Sequence, residues 1–147
     1  MKALSVQQPW IDAIVCGPKA VENRTWRPSR DIYGQDIALH ASQRFDKHAV
    51  FPPGCLWMAL PECRDFTGRL GAVLAAAALS GYHDARDCVR PDGTYCTPWS
   101  QPGCWHWEIM EVRPLAEPVP CKGALGLWRL PEDVEAAVRE QTGVRRG

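Results

Sequence analysis

The chain has 147 residues, the size of one domain rather than two, and a chain of that size buries about 70% of the surface it exposes when unfolded. Seventeen Lys and Arg balance seventeen Asp and Glu, which excludes a binder held by bulk positive charge; 46% hydrophobic and 23% charged residues exclude wholesale disorder. No apolar run approaches the ~18 residues of a membrane helix. Polar Gln7-Gln8 stand where a secretory leader needs an apolar core, so the expected compartment is the cytoplasm and no membrane partner is expected.

Lys2 to Gln7 alternates Leu4 and Val6 with Ser5 and Gln7, the period of a half-buried strand. Pro9 sits where a helix can begin, and Trp10, Ala13, Ile14 and Gly17 share one stripe before Gly17-Pro18 stops it. Lys19 to Trp26 reads as a second strand anchored by Val21. Gly34 leads into a third, Ile37 to Ala41, followed by a helix-prone stretch near Arg44 to Val50. Residues 51 to 68 hold Pro52-Pro53-Gly54 and Pro61 and read as an irregular excursion. In the most apolar segment, Arg69 to Tyr82, alanine favours helix. Gly71 and Gly81 bracket it, however, and Val73, Leu74 and Leu79 suit a buried strand, so a strand is predicted. Residues 83 to 103 form a long loop rich in Asp, Pro and Gly. Trp105 to Val112 alternates, with Trp105, Trp107 and Ile109 on one face. Leu125 to Leu130 is the last strand, and Pro131-Glu132-Asp133 opens a C-terminal helix over about 131–142.

About six short strands without a βαβ rhythm predict a mixed α+β, mainly β architecture: a small barrel of five to seven strands with two or three short flanking helices. Val6, Val21, Leu39, Val73, Leu74, Ile109 and Leu127 are its expected core. Thirteen prolines disfavour long helices, and seven tryptophans call for an aromatic core or a stacking surface. Seven cysteines cannot all pair internally, and no Cys-x-x-Cys occurs. Reduced thiols are expected, with no metal and no other cofactor, although Cys88, Cys96 and Cys104 recur every eight residues with His83 and His106 nearby.

Three segments hold groups with chemical potential. Lys19, Arg24, Arg27 and Arg30 stand against Glu22 alone, with Trp26 among them and Trp10 before. Cations for phosphate and flat rings for bases are what single-stranded nucleic acid needs. A solvated strand edge with ordinary Arg–carboxylate pairs is the competing reading. Around Lys122, Gly123 and Gly126 allow a backbone to approach a ligand closely, but the Walker spacing is absent. His40-Ala41-Ser42 invites a hydrolase reading, yet no Gly-x-Ser-x-Gly elbow exists. Glu108 and Glu111 are too far out of phase on a strand to act as paired carboxylates.

Leu4-Ser5-Val6-Gln7-Gln8-Pro9-Trp10, Gly17-x-Lys19-x-Val21-Glu22-x-Arg24-x-Trp26, Gly34…His40-Ala41 and Pro120-x-Lys122-Gly123…Gly126-Leu127-Trp128 together resemble the activating-signal-cointegrator homology (ASCH) domain. The resemblance runs from residue 3 to about 130, within a single domain spanning 1–147. It implies a PUA-like β-barrel with a cleft lined by Gln8, Pro9, Trp10, Lys19, Lys122 and Gly123. Relatives of this fold bind RNA or modified bases, and some stand-alone bacterial members look like hydrolases of RNA or of N-acylated cytidine. The amidohydrolases resemble one another in a Lys followed three residues later by a Thr nucleophile. Here that place holds Glu22, with Thr25 three further on, and a carboxylate there suits a general base better than a covalent acyl carrier.

The leading expectation is a module that binds RNA, single-stranded DNA or a modified nucleotide, with Arg24, Arg27 and Lys122 at phosphate and Trp10 and Trp26 as stacking walls. The alternative is a small hydrolase, a ribonuclease or acylcytidine amidohydrolase, in which Lys19 and Glu22 are catalytic and the partner is a nucleoside or RNA. A protein-interaction domain is the third class.

Overall fold

Alternation of side chains divides the first strand between two apolar clusters. In β1 (Lys2–Gln8), Leu4 and Val6 enter one and Ala3 the other. The computed structural model describes residues 1–53 and 68–145, so most of the expected 51–68 excursion lies outside the described residues. After β1 come α1 (Trp10–Val15), β2 (Val21–Arg24), β3 (Asp36–Phe45), β4 (Ala72–Asp84), β5 (Trp105–Pro120), β6 (Leu127–Arg129) and α2 (Glu132–Thr142). Single 3-10 turns lie at Arg30–Ile32 and Ala85–Asp87. Among the described residues no helix is long and apolar enough to cross a membrane.

The strands form one mixed sheet in the order β2-β5-β4-β3-β1-β6. β1 and β3 run parallel, with α1 and β2 in the connection between them; the other pairs are antiparallel. Among the described residues, six strands and two helices match the mainly β expectation, but the sheet does not close into a barrel. The end strands β2 and β6 have only four and three residues. The chain leaving β6 turns into α2, which covers the second apolar face instead of bringing β6 to β2. That face is built from small residues, Ala3, Ala38, Val73 and Ala76, and Val134 and Val138 of α2 settle onto it.

Tertiary pairing overrides local preference at three places. β4 is a strand despite its alanines because β3 and β5 pair on both sides and bury it. The stretch from Arg44 is not helical: Gln8 pairs with Phe45 and the Asp46 N–H donates to the Gln8 carbonyl at 2.7 Å, holding the strand register. β5 runs eight residues beyond the expected Val112, through Pro114, Pro118 and Pro120. β2 pairs only with residues 105–108, so beyond them that edge of β5 is open and a missing N–H is tolerated. Glu111, at φ 49°, sits where the β4–β5 register shifts, in a bulge.

Of the expected core, Val6, Val21, Leu39, Val73, Leu74 and Ile109 are buried; Leu127 is only half-buried, on the edge strand β6. Leu39 is fully buried at the sheet centre whereas Leu125 is 98% exposed. Leu39→Ala is expected to lower unfolding free energy by about 2–5 kcal/mol in urea, and Leu125→Ala to leave it within ~0.5 kcal/mol.

Candidate functional site

A cleft of about 1380 Å³ opens beside α1, walled by β2, the ends of β1 and β3, the loop before β5 and the turn between β5 and β6. Its floor on one side is a buried charge network. Gly17-Pro18 ends α1, and the Lys19 N–H returns to the Ala13 carbonyl at 3.1 Å, which turns the lysine inward. Lys19 is 3% exposed. Its Nζ donates to the Val21 carbonyl at 2.5 Å and to Glu22 Oε2 at 2.7 Å. Glu22 and Arg24, two apart on β2, share a face. Arg24 Nη2 reaches Glu22 Oε1 at 3.1 Å and the Ser5 carbonyl at 2.6 Å. Charges this buried persist only when paired and hydrogen-bonded, so the three side chains hold one another in place.

Across the cleft, Ser5 and His40 are register partners in the parallel β1–β3 ladder. Ser5 Oγ lies 3.2 Å from His40 Nδ1 and 3.0 Å from the Ala124 carbonyl, and it accepts the Trp128 indole N–H at 3.1 Å. His40 Nε2 donates to the Cys121 carbonyl at 3.0 Å, which leaves Nδ1 as the acceptor. Burial holds the His40 pKa below its usual value, against the opposing pull of that carbonyl. Gly123 closes over this pair: a Cβ there would stand 2.4 Å from His40 Cε1 and 2.9 Å from Ser5 Oγ.

Trp10 forms the aromatic part of the wall, edge-on to Phe51 at 5.6 Å and to Trp99 at 6.4 Å, with its indole N–H held by Asp46 at 3.0 Å. Asn23 fastens Trp99 by donating to its carbonyl at 2.9 Å, and accepts from the Gln101 N–H at 3.0 Å. Arg44 and Lys122 are exposed on the cleft and make no ion pair among the described residues. Lys19, Arg24, Arg44 and Lys122 therefore face Glu22 and Asp46, an excess of two positive charges in a neutral protein.

The ASCH domain family profile matches residues 4–118, from β1 into β5. The chain belongs to the ASCH domain family. Its fold is similar to the crystal structure of ASCH from Zymomonas mobilis, with a TM-score of 0.58 at 14% identity over 96% of this chain and 94% of that one. Crystal structures of two variants of that protein, one serine-to-alanine and one tyrosine-to-phenylalanine, superpose with a TM-score of 0.57, also at 14% identity. They cover 96% of this chain and 95% and 97% of theirs. Among curated proteins, none matches the chain in sequence.

Of the residues singled out from the ASCH motifs and the basic segment, Trp10, Lys19, Glu22, Arg24, Lys122 and Gly123 line this one cleft. The others lie elsewhere. Gln8 and Pro9 are buried at the start of α1, where Gln8 Nε2 donates to Asp12 Oδ1 and to the Arg69 carbonyl. Trp26 packs edge-on against buried Trp107 at 4.7 Å. Arg27 stacks over Tyr82 at 5.3 Å and donates to its hydroxyl at 3.0 Å. Sequence reasoning missed Ser5, Arg44, Asp46 and Trp99; the Ser42 it set aside as a partner of His40 bonds the backbone of Arg44 through its Oγ. Ser5 was visible inside the first motif. Arg44 and Trp99 carry no local signal, because pairing of β3 and folding of the long loop bring them to the cleft.

Beneath the cleft, burial pushes the Asp12 carboxyl up to about 7, with hydrogen bonds from Gln8 and the Gly68 backbone opposing it. The folded state therefore holds a proton that the unfolded chain releases near the ordinary carboxyl value of 3.8. That contribution to stability is complete below the unfolded value and is lost as pH rises through about 7. Denaturation at pH 5 and pH 8 should show the parent losing stability across this window. Asp12→Asn should flatten the difference and be more stable at pH 8 by about 3 kcal/mol. Gly123→Ala should lower stability by about 1–3 kcal/mol through the His40 clash and shift the His40 imidazole resonances in NMR spectra.

Proposed function

We propose that this ASCH domain binds single-stranded RNA or DNA, or a modified nucleotide cut from either, in the Trp10-walled cleft. The observation that carries the reading is the composition of the walls: four cations against two carboxylates, set beside Trp10 and Phe51. Phosphate is drawn to Arg44 and Lys122, which are exposed and unpaired by carboxylates among the described residues. Arg24 lies further in, already engaged with Glu22 and Ser5. An aromatic edge and a cation next to it suit a base followed by its phosphate. At about 1380 Å³ the cleft exceeds the ~300–1,000 Å³ of ordinary small-molecule sites and takes a nucleotide or a short strand. The general link of PUA-like folds to RNA supports the same reading.

Fluorescence anisotropy with a labelled single-stranded RNA at two salt concentrations tests it. Binding should weaken with salt. Lys122→Ala and Arg44→Ala should each lower affinity by about 1 kcal/mol and reduce the log–log salt slope by roughly 0.7. Trp10→Ala should cost about 1–3 kcal/mol. No salt-dependent binding at low ionic strength, to RNA, single-stranded DNA or mononucleotides, would sink the reading.

A second reading, hydrolysis of RNA or of an N-acylated cytidine, rests on the Lys19–Glu22 pair, which is buried yet borders the cleft at 2.7 Å separation. Glu22 Oε2 is within reach of both a proton acceptor role and the lysine that would hold it in line. In that case Glu22→Gln should reduce turnover at least about a hundredfold with binding kept, the scale of a lost acid–base group. For a pure binding module there is no turnover to lose.

A further inference from the structure

His83, Cys88, Cys96 and His106 each offer one ligand atom, and all four atoms lie within 4.8 Å of one another. We propose that they form a structural zinc site, one that ties down the long loop between β4 and β5. The donor set is two thiols and two imidazoles, the borderline-soft S2N2 composition that selects Zn²⁺ over Mg²⁺ or Ca²⁺. Bonds of ~2.3 Å to sulfur and ~2.05 Å to nitrogen at the tetrahedral angle require edges of about 3.5 Å between S and N and about 3.3 Å between N and N. The observed edges are 3.3 Å for Cys88 Sγ to His106 Nδ1, 3.3 Å for Cys96 Sγ to His83 Nε2, 3.6 Å for Cys96 Sγ to His106 Nδ1 and 3.3 Å between the two ring nitrogens.

The outer nitrogens of both imidazoles are anchored as metal-bound histidines require. His83 Nδ1 meets Glu108 Oε1 at 3.1 Å, and His106 Nε2 meets the Gln101 carbonyl at 2.8 Å. These bonds assign Nε2 of His83 and Nδ1 of His106 to the centre of the cluster. Gly81 makes the first bond possible: a Cβ there would stand 2.6 Å from Glu108 Oε2, so its absence lets the carboxylate cross the ladder. His83 and His106 are themselves paired in the β4–β5 register, and the two cysteines come from the loop. Cys104 completes the eight-residue spacing but is not a member of the cluster.

A loop from 85 to 104 that holds only one 3-10 turn buries little of its own, so a tetrahedral staple at its base supplies the order. The same loop brings Trp99 and Gln101 to the cleft, through Asn23. The staple therefore presets one cleft wall, independently of what the cleft binds.

The test is metal analysis of the full chain, expressed in zinc-supplemented medium and purified without chelator. About one zinc per chain is expected. Cobalt(II) added to the reduced, metal-stripped protein should give the ligand-field and thiolate charge-transfer bands of a tetrahedral centre. Cys96→Ser and His83→Asn should retain less than a tenth of the metal, while Cys104→Ser retains it fully. Glu108→Gln should weaken zinc affinity about 10–100-fold. A metal-free protein with no tetrahedral cobalt spectrum overturns the proposal, as does a Cys88–Cys96 disulfide in protein kept under cytosolic reducing conditions. The cobalt spectrum needs no substitution and stands even if a variant fails to fold.

Discussion

The β3–β4–β5 ladder is the constraint on which everything else hangs. β4 is buried and paired along both edges. One of its ends, at Gly71 and Ala72, meets Ala41 and Pro120 beside the cleft; the other, at His83 and Asp84, meets His106 and Trp105. A shift of one residue in this register would exchange the two apolar faces and separate His83 from His106. The alanines of β4 belong to the same logic. Ala76, with Ala3 and Ala38 of the neighbouring strands, lets α2 lie close on one face, while Ala72, Ala75 and Ala77 lie with Leu74 and Leu79 on the other.

Charge is distributed by burial rather than by total. The chain is neutral, yet Lys19, Glu22 and Arg24 form a nearly enclosed set on one cleft wall, and Arg44 and Lys122 at its opening meet no carboxylate among the described residues. The inner set needs its partners to survive desolvation, so it orients; the outer cations are hydrated and free to exchange counterions for a phosphate. Arg27 shows the contrast. Stacked on Tyr82 and Trp105, it covers apolar surface on a different part of the sheet.

The long loop before β5 links the two ends of the ladder functionally. Its Cys88 and Cys96 meet His83 of β4 and His106 of β5 at one end of those strands, and its Trp99 packs with Phe51 and Trp10 in the cleft. Order in the loop is thus order in the cleft wall, and Asn23, bonded to both Trp99 and Gln101, is the hinge point between loop and β2.

The sequence by itself determined what depends on local period and on short motifs. Leu4 and Val6 alternate with polar neighbours, so β1 was legible; so were β2 at Val21, α1 ended by Gly17-Pro18, and α2 opened at Pro131. The ASCH motifs placed Gln8, Pro9, Trp10, Lys19, Lys122 and Gly123 together; the cleft contains the last four, and Gln8 and Pro9 are buried at the start of α1 instead. Tertiary structure alone decided matters of long-range pairing. It kept the stretch from Arg44 out of a helix, because β3 runs on to Phe45, which pairs with Gln8, and residues 46–50 then turn away; and it carried β5 past three prolines because one edge is open. It placed Arg24 in the cleft and Trp26 against Trp107, since direction on and beyond a four-residue strand follows packing and not composition. It also chose His83 over Cys104 for the cysteine–histidine cluster. An eight-residue spacing says nothing about which side chains converge, whereas the β4–β5 register sets His83 directly opposite His106.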